Sequence, residues 1–208
     1  MRQFPSSFSD LLYMLAKIGL SPIRGGFVWL ALARGSHIPF LGKNVKLIFK
    51  SKIKVGRGVW IGHNTYIDAC CEHGIDLRNG VTIRENATIQ CRSGLNPRGH
   101  GLIVGEATFI GPSAKVGVGG PLVIGANCQI GAHCCFNAES HVAHEGSFTS
   151  GVTQRVGINI GNNVWIGDGV IILDGVSVGD NAVLGAGAVV NKSVSAGERV
   201  AGVPAKAI

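Results

Sequence analysis

Hydrophobic and polar positions change their pattern near residue 55. Before it the apolar residues come in runs, S-F-S-D-L-L-Y-M-L-A-K-I-G up to Gly19 and F-V-W-L-A-L-A-R-G over 27–35. After it a single aliphatic residue recurs at every sixth position. Steps of six begin at Val55, Ile61 and Ile67, then at Leu77, Ile83 and Ile89, at Val104, Ile110 and Val116, and at Ile124, Ile130 and Phe136. A last unbroken run follows at Ile160, Ile166, Ile172, Val178, Leu184 and Val190, making eighteen hexads in six groups of three. Extra residues fall only between groups: 4 before Leu77, 9 before Val104, 2 before Ile124 and 18 before Ile160.

A period of six in groups of three predicts a coil with three flat sides, each hexad a short strand plus a turn. The first aliphatic residue points inward, the small fifth residue fits near the corner, and Gly in the second position is expected there for its backbone freedom. Stacked at the ordinary strand spacing, six coils make a parallel β-prism about 29 Å tall. A side interrupted at a corner leaves the coils above and below undisturbed, which is why insertions respect the grouping. Cys71, Cys128 and Cys134 occupy fifth positions and read as small wall residues.

Residues 1–54 do not repeat, and the organisation expected is a helical, basic segment over 1–44 and a β-helical domain over 45–208 with an inserted loop at 142–159. Ser9 or Asp10 is a plausible N-cap for a first helix ending at Gly19. A second helix is expected from Phe27 to Gly35, after the S-P-I-R-G-G break. Both are apolar around most of their circumference. Two roles stay open for them: capping the open end of the prism or a partner subunit, or lying on a membrane surface.

Charge bears on that choice. The net charge is +7. Residues 1–57 hold ten Lys or Arg against Asp10 alone, +9, while 58–208 hold nine against eleven acids, −2. Only the N-terminal segment invites an anionic partner, with Lys43, Lys46, Lys50, Lys52, Lys54 and Arg57 facing anionic lipid under the membrane reading. No nucleic-acid partner is expected. The 32 glycines follow no Gly-X-Y period and apolar residues make up 46% of the chain, which excludes collagen-like structure and disorder. The six cysteines form no C-x-x-C, and Leu11–Leu20 is too short to span a bilayer and lacks a cleavage site. A reducing, cytoplasmic setting is expected, peripheral at the inner face of the membrane if the N-terminal segment binds lipid.

The candidate chemistry gathers where the period fails. His141 is the last residue of the hexad opened by Phe136, at the departure of the long loop, and a histidine there suits a general base because its unperturbed pKa lies near neutrality. His144 lies three residues on, and Asn137 and His144 are candidates for the acceptor side. Glu139, Glu145 and His144 are candidates to support the imidazole. After the loop come I-G-N-N-V-W-I-G (160–167), G-A-G-A-V-V-N-K (185–192) and A-G-V-P-A-K-A-I (201–208).

These motifs, in this order on an in-phase hexad array, resemble the hexapeptide-repeat acyltransferases, in the branch of the maltose, galactoside and polysaccharide O-acetyltransferases. The resemblance covers about residues 45–208. It implies a left-handed parallel β-helix, against the right-handed rule for ordinary crossovers. It also implies a homotrimer with a site in each groove between prisms, acetyl-CoA as co-substrate, no metal, and a glycan or small-molecule acceptor. By resemblance His141 is the catalytic base. Trp165, Gly167 and Ala186 flank the thioester and pantetheine arm, Lys192 and Lys206 lie near phosphates, and Pro204 shapes the tail. Two other classes compete: a zinc enzyme of the same fold, using His133, His141 and His144, and a nonenzymatic assembly protein. The zinc reading leaves the V-W-I-G and A-G-V-P-A-K motifs unexplained.

Overall fold

The computed structural model describes Ser9 and residues 18–91, 98–144, 146–148 and 152–208. It is a left-handed parallel β-helix whose three faces are sheets of nine, seven and six strands among the described residues. The chain visits them in rotation. Phe40–Leu41 lies on the first face, Lys46–Ile48 on the second and Ile53–Val55 on the third. Trp60–Ile61 then pairs parallel on top of the first strand, and Tyr66–Asp68 on the second. The prism thus extends one coil further toward the N terminus than the hexads counted from Val55. At its other end Arg199–Ala201 adds to the first face, followed by Lys206–Ala207 antiparallel to it.

The aliphatic residues counted at steps of six form the interior. Ile61, Ile83, Ile110, Ile130, Ile166 and Leu184 are fully buried behind the first face, with Ile67, Ile89, Val116, Phe136 and Ile172 behind the second. Cys71, Cys128 and Cys134 are buried wall residues. The thiols of Cys128 and Cys134 donate to Gly161 O and Gly167 O in the next coil, both at 3.1 Å, and burial pushes both thiols up.

The second-position glycines have a different reason from the one expected. Gly56, Gly62, Gly105, Gly111, Gly125, Gly131, Gly161 and Gly167 are not in the left-handed region. They are small because the next coil passes too close: a Cβ at any of them would run into its backbone. Left-handed backbone appears two residues later, at Asn44, Asn64, Asn86, Ser113 and His133 on the corner from the first face to the second. Asn127, Asn163 and Asn181 do the same between the third face and the first. Asparagine tolerates this region best among residues with side chains, and here its amide also bridges coils. Asn64 Nδ2 donates to Asn86 Oδ1 at 3.2 Å and Asn163 Nδ2 to Asn181 Oδ1 at 2.7 Å.

The third edge is built otherwise. On leaving the second face the second-position residues are Ile48, Asp68, Gln90, Asn137, Leu173 and Asn191, with Gly117 the glycine among them. All four insertions found in the sequence leave here, between Asp68 and Ile75, Gln90 and Gly101, Gly117 and Pro121, and Asn137 and Ile158. Irregularity is therefore confined to one edge of the prism.

The N-terminal end is covered by one described helix, Ser21–Trp29. It begins inside the S-P-I-R-G-G stretch read as a break, because Pro22 falls in the first turn, where its missing N–H costs nothing. Gly25 is required by contact, since a Cβ there would strike Pro39 O. Arg24 Nε donates to Leu41 O (2.8 Å) and Gly42 O (3.0 Å), fastening the helix to the first corner. The helix predicted from Ser9 to Gly19 lies, apart from Ser9, Ile18 and Gly19, outside the described residues.

Phe136 is the largest fully buried side chain. Phe136→Ala should cost about 3–5 kcal/mol, with a cavity in the coil that launches the long loop. The check is a lowered urea midpoint, and an unchanged midpoint would mean that this layer is not tightly packed.

Candidate active site

The long loop begins as a hairpin rather than as a continuation of the wall. Pairing on the second face ends at Phe136 and Asn137, and Ala138 keeps two backbone bonds to the coil below, its N–H donating to Gly117 O at 3.2 Å and its carbonyl accepting from Gly120 N at 2.6 Å. Ser140–His141 then pairs antiparallel with Thr153–Gln154, His141 opposite Thr153. His141 is therefore an exposed residue on a two-stranded ribbon at the prism edge, not a member of the coil as the hexad count placed it. Three residues on, the ribbon tightens into a turn in which His144 and Ser147 exchange backbone hydrogen bonds, both at 3.0 Å. His144 is exposed. Glu145, a candidate to support the imidazole, lies outside the described residues.

Two charged groups that sequence reasoning missed pin the base of this ribbon. Arg155 stands 3.6 Å from the Glu139 carboxylate, donates from Nε to Thr153 Oγ1 at 3.1 Å, and from Nη1 to Arg98 O at 3.1 Å. One guanidinium so ties the outgoing strand, the returning strand and the insertion two coils below. Both charged side chains are about one-fifth exposed, 21% and 19%, which makes the pair worth more than an open surface contact. Glu139, proposed as an orienting carboxylate, meets Arg155. Asp174 fastens the return: its Oδ2 accepts from Val156 N at 3.1 Å and its Oδ1 from Gly157 N at 2.7 Å. Gly157 has φ +99° and lies against Pro121, so glycine alone fits. The sequence signal for Arg155 was weak, a single basic residue in a polar stretch.

Asn137 is exposed on the second face and accepts at Oδ1 from the Cys135 thiol, 3.3 Å away. His133 turns the corner between first and second faces with φ 58°, whereas His141 leaves at the edge between second and third. The histidines of the zinc reading therefore stand at different edges.

The second group of sequence candidates gathers on the first face and its rim. Trp165 lies there between Gln129 below and Val183 above, its side chain outward and 55% exposed. Gly167 begins the next corner and packs on the backbone of Ala186 one coil up. The C-terminal strand bearing Lys206 doubles back along the same sheet after a cis Val203–Pro204 bond. Ala205 N and Val189 O join that tail to the second face at 2.8 Å. Trp165, Gly167, Ala186, Pro204 and Lys206 thus share one region. Lys192 does not: it follows Val189–Val190 and stands at the edge from which the loop leaves two coils earlier.

Face and edge oppose each other in a three-sided prism, and this separates the two groups. His141 sits on the edge between second and third faces, and Trp165 on the first face opposite it. One chain does not bring them together.

Two family models match the chain. Bacterial transferase hexapeptide (six repeats) covers residues 157–192, and hexapeptide repeat of succinyl-transferase covers 52–91 and 121–136. Among solved structures the chain is similar in fold to a point mutant of AntD, an N-acyltransferase from Bacillus cereus, in complex with dTDP-4-amino-4,6-dideoxyglucose and coenzyme A. Identity is 14% and the TM-score 0.55, over 89% of this chain and 87% of that one. A maltose O-acetyltransferase from Clostridium difficile 630 gives 17% identity and a TM-score of 0.44 over 100% and 78% of the two chains. The polySia-specific acetyltransferase NeuO gives 24% and 0.46 over 81% of each. No curated protein matches.

Arg155→Met should free the ribbon without unfolding the prism. Proteolysis between residues 142 and 152 is expected to quicken about tenfold, with the urea midpoint moving by less than about 1 kcal/mol equivalent. Unchanged proteolysis would mean that Asp174 and the strand pairing hold the base unaided.

Proposed function

We propose that the chain is an acetyl-CoA-dependent O-acetyltransferase of the hexapeptide-repeat acyltransferase family, acting on a sugar hydroxyl. The acceptor proposed is a surface polysaccharide or its lipid-linked precursor. The placement of His141 supports this most: an exposed imidazole on a pinned ribbon, held at the mouth of the only long insertion among the described residues. An imidazole in that position reaches a bound hydroxyl without being spent on the fold.

In the proposed reaction neutral His141 takes the proton of the acceptor hydroxyl as its oxygen attacks the thioester carbonyl carbon of acetyl-CoA. The tetrahedral intermediate collapses with loss of the thiolate, which takes the proton back from the imidazolium, leaving an acetyl ester and free CoA. A positioned base contributes about 10²–10⁴-fold. Fixing both substrates in one groove contributes further, because the encounter becomes intramolecular. Arg155 and Glu139 act as positioning residues through the ribbon.

The opposed placement of base and Trp165 strip supports a homotrimer. His141 of one prism would face Trp165, Gly167 and Ala186 of its neighbour, with Lys206 and Pro204 toward the nucleotide end of CoA. Lys192, on the loop edge, would belong to the groove on the other side of its own prism. An N-acyl transfer to an amino sugar is a second reading, favoured by the fold likeness to AntD, whose structure holds an amino sugar nucleotide and coenzyme A. The same base serves there, and the product is an amide.

His141→Ala should leave a folded oligomer that binds CoA within about twofold of wild type and transfers acetyl at least 10²-fold more slowly. Release of free CoA from acetyl-CoA across sugars, nucleotide sugars and amino sugars reads both the loss and the acceptor; unchanged transfer would remove the base. Trp165→Ala should raise KM for acetyl-CoA about tenfold while kcat falls less, since it contacts the co-substrate rather than the reacting hydrogen. An unaltered KM would assign Trp165 to subunit packing instead.

A further inference from the structure

We propose that the N-terminal end of the prism is a docking face for an anionic lipid surface, on which the molecule stands with its long axis along the membrane normal. The helix Ser21–Trp29 buries only Ser21 and Gly25. Its outer side, with the residues flanking it, leaves Leu20, Ile23, Phe27 and Leu30 in solvent, Phe27 and Leu30 each 86% exposed. Such a cluster of large apolar side chains at one end of a molecule marks an interaction surface.

The charges beside it identify the occupant and the orientation. Lys43 lies at the corner between first and second faces, Lys46 on the second face, and Lys50 at the edge to the third. Lys54 lies on the third face and Arg57 at the corner back to the first. All five are exposed. They surround the prism within its first coil, a single layer about 5 Å thick. No acid occurs between Asp10 and Asp68, whereas the next coil holds Asp68, Glu72 and Asp76 against Arg78. A protein or nucleic-acid partner on one side of the prism would be met by a patch on that side. A ring at one height, lying beneath an apolar tip, matches a plane perpendicular to the axis: apolar side chains in the headgroup layer and cations at the level of the phosphates. No helix among the described residues is long and apolar enough to cross a membrane. The geometry is that of a foot resting on the surface.

The ribbon of His141 rises from the fifth coil, four strand spacings above the ring, on the order of 19 Å from the lipid surface. If the acetyltransferase reading holds, that height suits an acceptor sugar carried a few units from a lipid anchor. This consequence rests on the proposed function, but the docking face does not.

Flotation of the full chain with vesicles, without acetyl-CoA, tests the face and leaves transfer activity to its own assay. Vesicles of phosphatidylcholine with about a third phosphatidylglycerol should recover at least about tenfold more protein than phosphatidylcholine alone at low salt, and about 0.5 M salt should abolish the difference. Phe27→Ser with Leu30→Ser should lower recovery about tenfold, as should the set Lys43→Gln, Lys46→Gln, Lys50→Gln, Lys54→Gln and Arg57→Gln, with circular dichroism and hydrodynamic mass unchanged. Lipids brominated near the headgroup should quench tryptophan emission in wild type, and Trp29→Phe should remove that quenching. Equal recovery on neutral vesicles would overturn the proposal. So would wild-type recovery of the serine variant with a smaller hydrodynamic mass, which would make the tip a subunit interface, or quenching that survives in Trp29→Phe, which would lay the prism on its side.

Discussion

The structure depends on how closely one coil can lie on the next. At most corners that leave the first and third faces a glycine stands where the backbone of the next coil passes at a distance that leaves no room for a Cβ, and Arg78 and Arg84 are the residues with long side chains at such positions. Gly62 N reaches Ile83 O at 2.8 Å, Gly125 N reaches Ile160 O at 2.8 Å and Gly167 N reaches Leu184 O at 2.8 Å. Those bonds hold the strand spacing constant around the turn, so the ladders of all three faces stay in register and the aliphatic column stays dry. A side chain at one of these glycine corners would meet the backbone of the next coil and wedge the stack open there, exposing backbone groups on both sides of it. The close corner and the buried column are therefore one constraint.

Much of this was legible because a period of six with aliphatic residues at its head has few physical solutions. The interior column, the wall cysteines and the grouping of insertions follow from the pattern alone. Other features were hidden for stated reasons. The helix start was masked by Pro22, whose meaning depends on whether it sits in the first turn or beyond it. The corner glycines carry the same letter whether glycine is needed for its φ or for its size, and only the neighbouring coil distinguishes the two. His141 was placed on the wall because a hexad has six residues, but it stands opposite Thr153, across the loop. Arg155 was invisible because its three partners, Glu139, Thr153 and Arg98, lie in segments whose approach depends on the stacking.

The edge that lacks close corners carries the loop and the proposed base, while the opposite face carries the tryptophan strip and the returning tail. The rigid edges set distances and the permissive edge varies them. Chemistry can change at that edge without altering the stack, since Asp68, Gln90, Asn137 and Leu173 already occupy positions where the coil above does not press.

The interruption at that edge also sets the order in which the chain can assemble. Most parallel pairs join residues about one coil apart, such as Phe109 with Gln129 or Trp165 with Val183, 20 and 18 positions. Across the long loop the separation rises to 36, for Gln129 with Trp165, Cys135 with Ile171 and Leu122 with Ile158. Doubling the span of a closing loop adds only about 0.6 kcal/mol of entropy, but every face meets that penalty at the same coil. Growth along the stack would pause there. Residues 40–137 form one run of local closures and residues 158–208 another. The ribbon bearing His141 lies at the seam, where Arg155 and Glu139, 16 positions apart, shorten the path between the two runs.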